Sequence, residues 1–273
     1  MNDRPVKEID LTKPIERVTI MAYGDSGSGK TRFIGTCPRP VIFADATEGG
    51  WTTIQTMSPE DYWEPHVTPR VIPIEKPSDL VLGIKKIDEE ARMHPGTIRT
   101  IGVDSLTFLG DLYLAFLERE FQAKLKDSGK GFDPRQIYGR LQVSLREVMI
   151  RVHSIPKVHV VWTALAKPPD EPGRDGGILL AGQTRGKAPA ACSLWMYLRN
   201  EMDGDDVKFY GHSSRCGVFP ARGRFAEMLP SIMSPPTFEE IDRALGLKTP
   251  RERKTSVSVP RRAAATGVAA RKA

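Results

Sequence analysis

Short, unbroken apolar runs alternate along the chain with stretches in which apolar residues recur every three or four positions. The runs are too short for helices and predict buried strands over 17–22, 41–44, 99–103 and 158–164. A shorter strand is expected at 70–74, and Pro73 assigns it to a sheet edge because proline cannot donate to a ladder. The periodic stretches predict helices. Leu80, Leu82, Ile84 and Ile87, then Ala91, follow the helix start Pro77-Ser78-Asp79, and Leu109, Leu112, Phe116 and Leu117 form a second stripe. Leu141, Leu145, Val148 and Val152 form a third, in a helix expected over 137–154. Farther on, 190–200 reads as a helix and 207–210 as a strand. A closing helix is expected over 237–245, capped by Thr237 with Glu240 three residues later. Strands alternating with helices at these spacings predict an α/β fold, a largely parallel central sheet with helices on both faces.

Between the first strand and the next helix stand Gly24, Asp25, Ser26, Gly27, Ser28, Gly29, Lys30 and Thr31, which fit the phosphate-loop pattern G-x-x-x-x-G-K-[ST] without a mismatch. The strand before them and the helix-competent residues after them supply the context the motif requires. Three glycines let the backbone curl round a polyphosphate with its N–H groups pointing inward. Lys30 is placed as a point charge between the β- and γ-phosphates, and Thr31 offers a hydroxyl to Mg²⁺. The stretch expected to contact ATP runs on to Arg32.

Asp104 ends the fourth apolar run. There it either reaches Mg²⁺ as a Walker B acid, directly or through water, or caps the helix that follows, and one carboxylate can do both. The phosphate loop, Glu48, Asp104 and Thr163 all fall at the carboxyl ends of predicted strands, where open α/β sheets bind ligands. Beside that edge runs a long Pro-, Gly- and charge-rich loop, 167–187. Its Arg174, Arg185 and Lys187 are candidate contacts to nucleic acid phosphates, the alternative being a solvated surface loop. The five histidines show no metal-ligand spacing.

The net charge of +6 changes meaning once it is located. From Leu247 onward eight basic residues face Glu252 alone, so that segment carries +7, and subtracting it from +6 leaves −1 for residues 1–246. The chain therefore divides into an arm over 1–16, a nucleotide-binding domain over 17–246 and a basic tail over 247–273. The tail has almost no large apolar residues and is expected to be disordered. Its charge suits nucleic acid, an acidic protein surface, or solubility alone. No apolar run approaches the ~18 residues of a membrane span, and the first residues lack a signal-peptide core. Cys37, Cys192 and Cys216 are odd in number and scattered, which fits reduced thiols in a cytoplasm-like compartment.

Four stretches carry a family resemblance: 24–31, Phe43-Ala44-Asp45-Ala46-Thr47-Glu48-Gly49-Gly50, Val103-Asp104-Ser105-Leu106-Thr107, and Tyr138-Gly139-Arg140-Leu141. Together they resemble the RecA-like phage ATPases of the Sak single-strand-annealing group, over about residues 15–245. The resemblance implies a RecA-like P-loop ATPase using ATP and Mg²⁺, with single-stranded DNA as partner and a homo-oligomeric assembly. It implies annealing or recombination in phage DNA metabolism, in the host cytoplasm. Lys30, Glu48 and Asp104 would be catalytic, Glu48 orienting the attacking water, and Thr31 and Asp104 would hold the metal. Relatives carry His or Gln as a γ-phosphate sensor after the neighbouring strand, where this chain has Thr163, Ala164 and Leu165, so turnover is expected to be slow. The loop 167–187 falls where RecA-like proteins carry a DNA-binding loop, and Arg222 or Arg224 is a candidate finger on a neighbouring protomer's ATP. The alternative is a nucleotide-switched loader of replication or single-strand-binding proteins that hardly hydrolyses ATP. A small-molecule phosphotransferase would need an acceptor pocket and lid, and no residues mark either.

Overall fold

The computed structural model describes residues 15–46, 49–58, 69–128, 135–181 and 184–247. The first half contains β1 (Thr19–Gly24), α1 (Lys30–Gly35), β2 (Val41–Asp45), α2 (Trp51–Thr56), β3 (Arg70–Pro73), α3 (Pro77–Met93), β4 (Thr100–Asp104) and α4 (Leu106–Ser128). The second contains α5 (Arg135–His153), β5 (His159–Lys167), β6 (Gly177–Ile178), α6 (Thr184–Ala190) and β7 (Leu194–Asp203). It ends with β8 (Asp206–His212), β9 (Arg222–Gly223), β10 (Ile232–Met233) and α7 (Phe238–Leu245).

Six strands in the spatial order β7-β1-β5-β4-β2-β3 are mutually parallel. Beyond β7 the sheet turns antiparallel through β8 and β10, while β9 pairs with β7 and β6 with β5. The strand that feeds the phosphate loop and the strand that ends in Asp104 are not neighbours, because β5 lies between them. β3 takes the edge position that Pro73 predicts.

The strand period of two sorts side chains into two cores, one on each face. Met21, Tyr23, Ile42, Ala44, Val160, Trp162, Trp195 and Tyr197 pack with α3, α4 and α5. Ile20, Ala22, Val41, Phe43, Val161, Leu194, Met196 and Leu198 pack on the other face with Phe33 and Ile34 of α1 and Phe238 and Ile241 of α7. Strands buried on both faces read as continuous apolar runs, which is why they were legible. The caps are also local. Asp79 Oδ2 accepts from Lys76 N at 3.0 Å to open α3, and Thr237 Oγ1 accepts from Glu240 N at 3.4 Å to open α7.

One predicted element is wrong in type. Residues expected as a helix over 190–200 are mostly β7, whose Leu194, Trp195, Met196, Tyr197 and Leu198 are all buried between β1 and β8. Flanking strands on both sides supply the ladder partners, and that tertiary pairing overrides helix propensity. A short helix does occur, but earlier, as α6. The segment 167–187 is likewise more ordered than a loop, since β6 and part of α6 lie in it.

Two histidines, His159 buried and His153 half-buried, give the fold a pH dependence. His153 Nε2 accepts from Trp162 Nε1 at 2.9 Å, and His159 Nδ1 accepts from the Val18 backbone N–H at 3.2 Å. Burial, reinforced by the nearby Arg17, lowers each to about 4 from the ordinary 6.5. Below pH 6.5 the unfolded chain binds protons that the folded chain refuses, so stability is full above that pH and falls toward pH 4. Urea unfolding should show a loss of up to about 1.4 kcal/mol per pH unit per histidine in that window. A stability curve that stays level down to pH 4 would contradict these acceptor roles.

Candidate nucleotide site at the carboxyl edge

β1 ends at Gly24, and the chain turns at once, with Ser28 N donating to Asp25 O at 3.2 Å. Gly27 and Gly29 take left-handed φ angles of 76° and 89°, which side-chain-bearing residues rarely adopt. Lys30 opens α1 and folds its ammonium back into the loop, donating to the carbonyls of Gly24 (3.1 Å) and Asp25 (2.7 Å). Ser28 Oγ is buried in the same loop without a protein hydrogen-bond partner. The motif thus folds as its residue types require, a Gly-rich cradle closed round a lysine.

Asp104 lies at the centre of the site. It is fully buried, and both of its carboxylate oxygens accept hydrogen bonds. Thr31 Oγ1 donates to Oδ2 at 2.5 Å, and Thr163 Oγ1 donates to Oδ1. Of the two roles open to Asp104, the cap is taken by its neighbour: Ser105 starts α4, its carbonyl accepting from Leu109 N at 2.9 Å and its Oγ from Phe108 N at 3.5 Å. Asp104 therefore faces the phosphate loop, and the helix start belongs to Ser105. Thr163, expected at this edge where relatives carry a His or Gln sensor, bonds the carboxylate.

The segment after β2 is brought to the same carboxylate. Ala46 N donates to Asp104 O at 2.8 Å. A Cβ on Gly50 would stand 2.7 Å from Asp104 Oδ2 and 3.4 Å from Thr31 Cγ2, so only glycine fits there. Glu48 lies outside the described residues; the described residues Ala46 and Gly50 near it both touch Asp104.

The Thr31 hydroxyl and Asp104 carboxylate form the hard oxygen set that suits Mg²⁺, a cation that usually keeps water and phosphate oxygens as its other ligands. Among the described residues no group of three or more His, Cys, Asp or Glu gathers into a fuller cage. When bound, such a cation would neutralise charge on the β- and γ-phosphate oxygens.

The candidate DNA contacts are already engaged. Asp170 pairs with Lys167 at 2.6 Å and with Arg185 at 3.1 Å, Arg174 pairs with Glu171 at 2.8 Å, and Asp175 pairs with Arg215. Lys187 is exposed on α6. Of the two finger candidates, Arg222 lies over the Trp195 ring, 5.3 Å from its centroid, and Arg224 is exposed.

Sequence reasoning missed the β7–β8 hairpin as a neighbour of the loop. Asn200 Nδ2 donates to Gly27 O at 3.3 Å, and the Phe209 ring packs so close to Gly29 that a Cβ there would meet it at 2.8 Å. Arg32 stands 5.6 Å over the same ring. Residues 173 positions apart carry no local signal of such a contact.

A parallel sheet with this loop, lysine and buried strand-end acid at its carboxyl edge defines a P-loop nucleotide-binding domain. A family model described as an AAA domain matches residues 16–225, and the chain belongs to that family of ATPases. No curated protein matches the chain. No helix among the described residues is long and apolar enough to cross a membrane.

The Gly50 contact yields a test. Gly50→Ala should push Asp104 off Thr31 and weaken nucleotide binding in Mg²⁺ at least about tenfold, a cost of about 1.4 kcal/mol. Binding in EDTA should change little. Calorimetric titration of ATP under both conditions reads the difference, and equal loss in both would place the damage outside the metal site.

Proposed function

We propose that this chain binds Mg·ATP, hydrolyses it slowly, and couples the nucleotide to single-stranded DNA in annealing or recombination, as the Sak-like group does. The observation that carries the reading is the cluster of Lys30, Thr31, Asp104 and Thr163 at one end of the sheet. Lys30 is placed to hold the β- and γ-phosphates, while Thr31 and Asp104 hold Mg²⁺. Glu48, on the segment between Ala46 and Gly50, supplies the group that orients water. Thr163, midway along β5, is committed to Asp104, which supports slow turnover.

The DNA half of the reading is supported by the resemblance and by the position of 167–181 beside β5. Lys167 and Arg185 now pair with Asp170, and Arg174 with Glu171, in surface ion pairs that contribute little to stability. DNA phosphates replace those carboxylates at little cost, so binding is salt-sensitive. Homo-oligomeric assembly belongs to the same reading, with exposed Arg224 a better candidate finger than Arg222, which is stacked on its own Trp195. The basic tail from Lys248 onward, outside the described residues, is a second candidate DNA contact. The Thr163–Asp104 bond also favours a second reading, a nucleotide-switched loader of replication proteins with little hydrolysis.

ATP hydrolysis by the purified protein, with and without single-stranded DNA, separates the two. DNA should raise turnover several-fold, and Lys30→Ala should abolish both rates. Tight ATP binding with turnover indifferent to DNA would reject the DNA-coupled reading and leave the loader.

A further inference from the structure

We propose that the β7–β8 hairpin is the nucleobase platform of this site, with Phe209, Val207 and Met202 as its apolar strip and Arg32 at its phosphate end. The proposal rests on the nucleotide reading above. Asp104, Thr31 and Gly50 mark the side of the loop where the metal and the γ-phosphate belong. The nucleoside must leave the loop on another side, and the element lying against Gly27 and Gly29 is this hairpin.

Its register orders the strip. Asn200 and Phe209 face each other across the ladder, and the pair Met202 and Val207 follows two residues on, so all four side chains share one face. The second pair lies about 7 Å beyond the first, within reach of a base attached to a phosphate held in the loop. Met202 is 70 % exposed and Val207 44 %, an uncovered apolar surface continuous with the Phe209 ring. An aromatic ring and two aliphatic side chains suit the π-face of a purine.

Charge separates the two ends of the ligand. Beyond the strip the hairpin tip carries Asp203, Asp205 and Asp206, all exposed, with Asp203 paired to Lys208. These carboxylates repel a triphosphate but accept hydrogen bonds from ribose hydroxyls or an exocyclic amine. Arg32, by contrast, lies at the loop end of the strip, over Phe209. The gradient runs from cationic at the phosphates to acidic at the nucleoside.

The test compares ATP with inorganic tripolyphosphate, which has the phosphates and no base. Calorimetric titration in Mg²⁺ should show Phe209→Ala, and the exposed double variant Met202→Ser/Val207→Ser, binding ATP about tenfold more weakly. Tripolyphosphate affinity should be unchanged in the double variant, whose residues do not touch the loop, and Phe209→Trp should retain ATP binding. Unchanged ATP affinity in the double variant and in Phe209→Leu would overturn the platform while leaving the phosphate loop standing. Equal loss of both ligands would overturn it too, because the hairpin would then shape the loop and read no base. If the unsubstituted protein binds neither ligand, the nucleotide reading itself fails and the platform with it.

Discussion

Everything at the carboxyl edge hangs on one buried carboxylate. Asp104 receives hydroxyls from two elements that are far apart in sequence, Thr31 at the start of α1 and Thr163 midway along β5. It also receives the backbone N–H of Ala46 at its carbonyl and the closest approach of Gly50 at its side chain. A buried carboxylate without such donors would be costly, so the threonines are as necessary to the fold as the acid is to the chemistry. Strand order makes the arrangement possible: with β5 between β1 and β4, its Thr163 hydroxyl reaches Asp104 from the neighbouring strand while Thr31 reaches it from the phosphate loop.

The same constraint explains which residues could be read in advance. The loop, Lys30 and Thr31 form a contiguous motif whose chemistry is local, and β1, β2, β4 and β5 are apolar runs that any doubly covered parallel sheet would require. Asp104 could be found because it ends such a run. That it does not cap the helix could not be read, because the cap is Ser105, which takes over the start of α4. Thr163 looked like a missing sensor because its partner lies 59 residues away. The largest misreading, β7 taken for a helix, has the same origin. A buried strand of Leu, Trp, Met, Tyr and Leu has no alternation to show, and its neighbours β1 and β8 are visible only in three dimensions.

The motif that opens α5 has a structural side. Arg140 lies 5.1 Å over the Phe121 ring and 4.0 Å from Glu120, so it braces α5 against α4. Those two helices cover the face of the sheet behind β4 and β5. A segment that carries family likeness need not touch the ligand, and fold-level likeness alone does not assign function to such residues.

β5 connects the two halves of the proposed activity. Its Thr163 is fixed to Asp104, and Leu165 N is fixed to Thr107 Oγ1 at 3.0 Å, while Thr107 Oγ1 donates to Leu179 O at 3.0 Å. Ala166 and Lys167 then pair with β6, and Lys167 is tied to Asp170. Within five residues one strand passes from the candidate metal acid to the candidate DNA segment, with each step held by a hydrogen bond or ion pair. The hairpin stands on the opposite flank, bonded to the loop through Gly27 and packed on Gly29. The phosphate loop is thus held from two sides, by Asp104 at Thr31 and by the hairpin at Gly27 and Gly29. Under the proposed function, these two grips carry occupancy of the loop to the segment that follows β5.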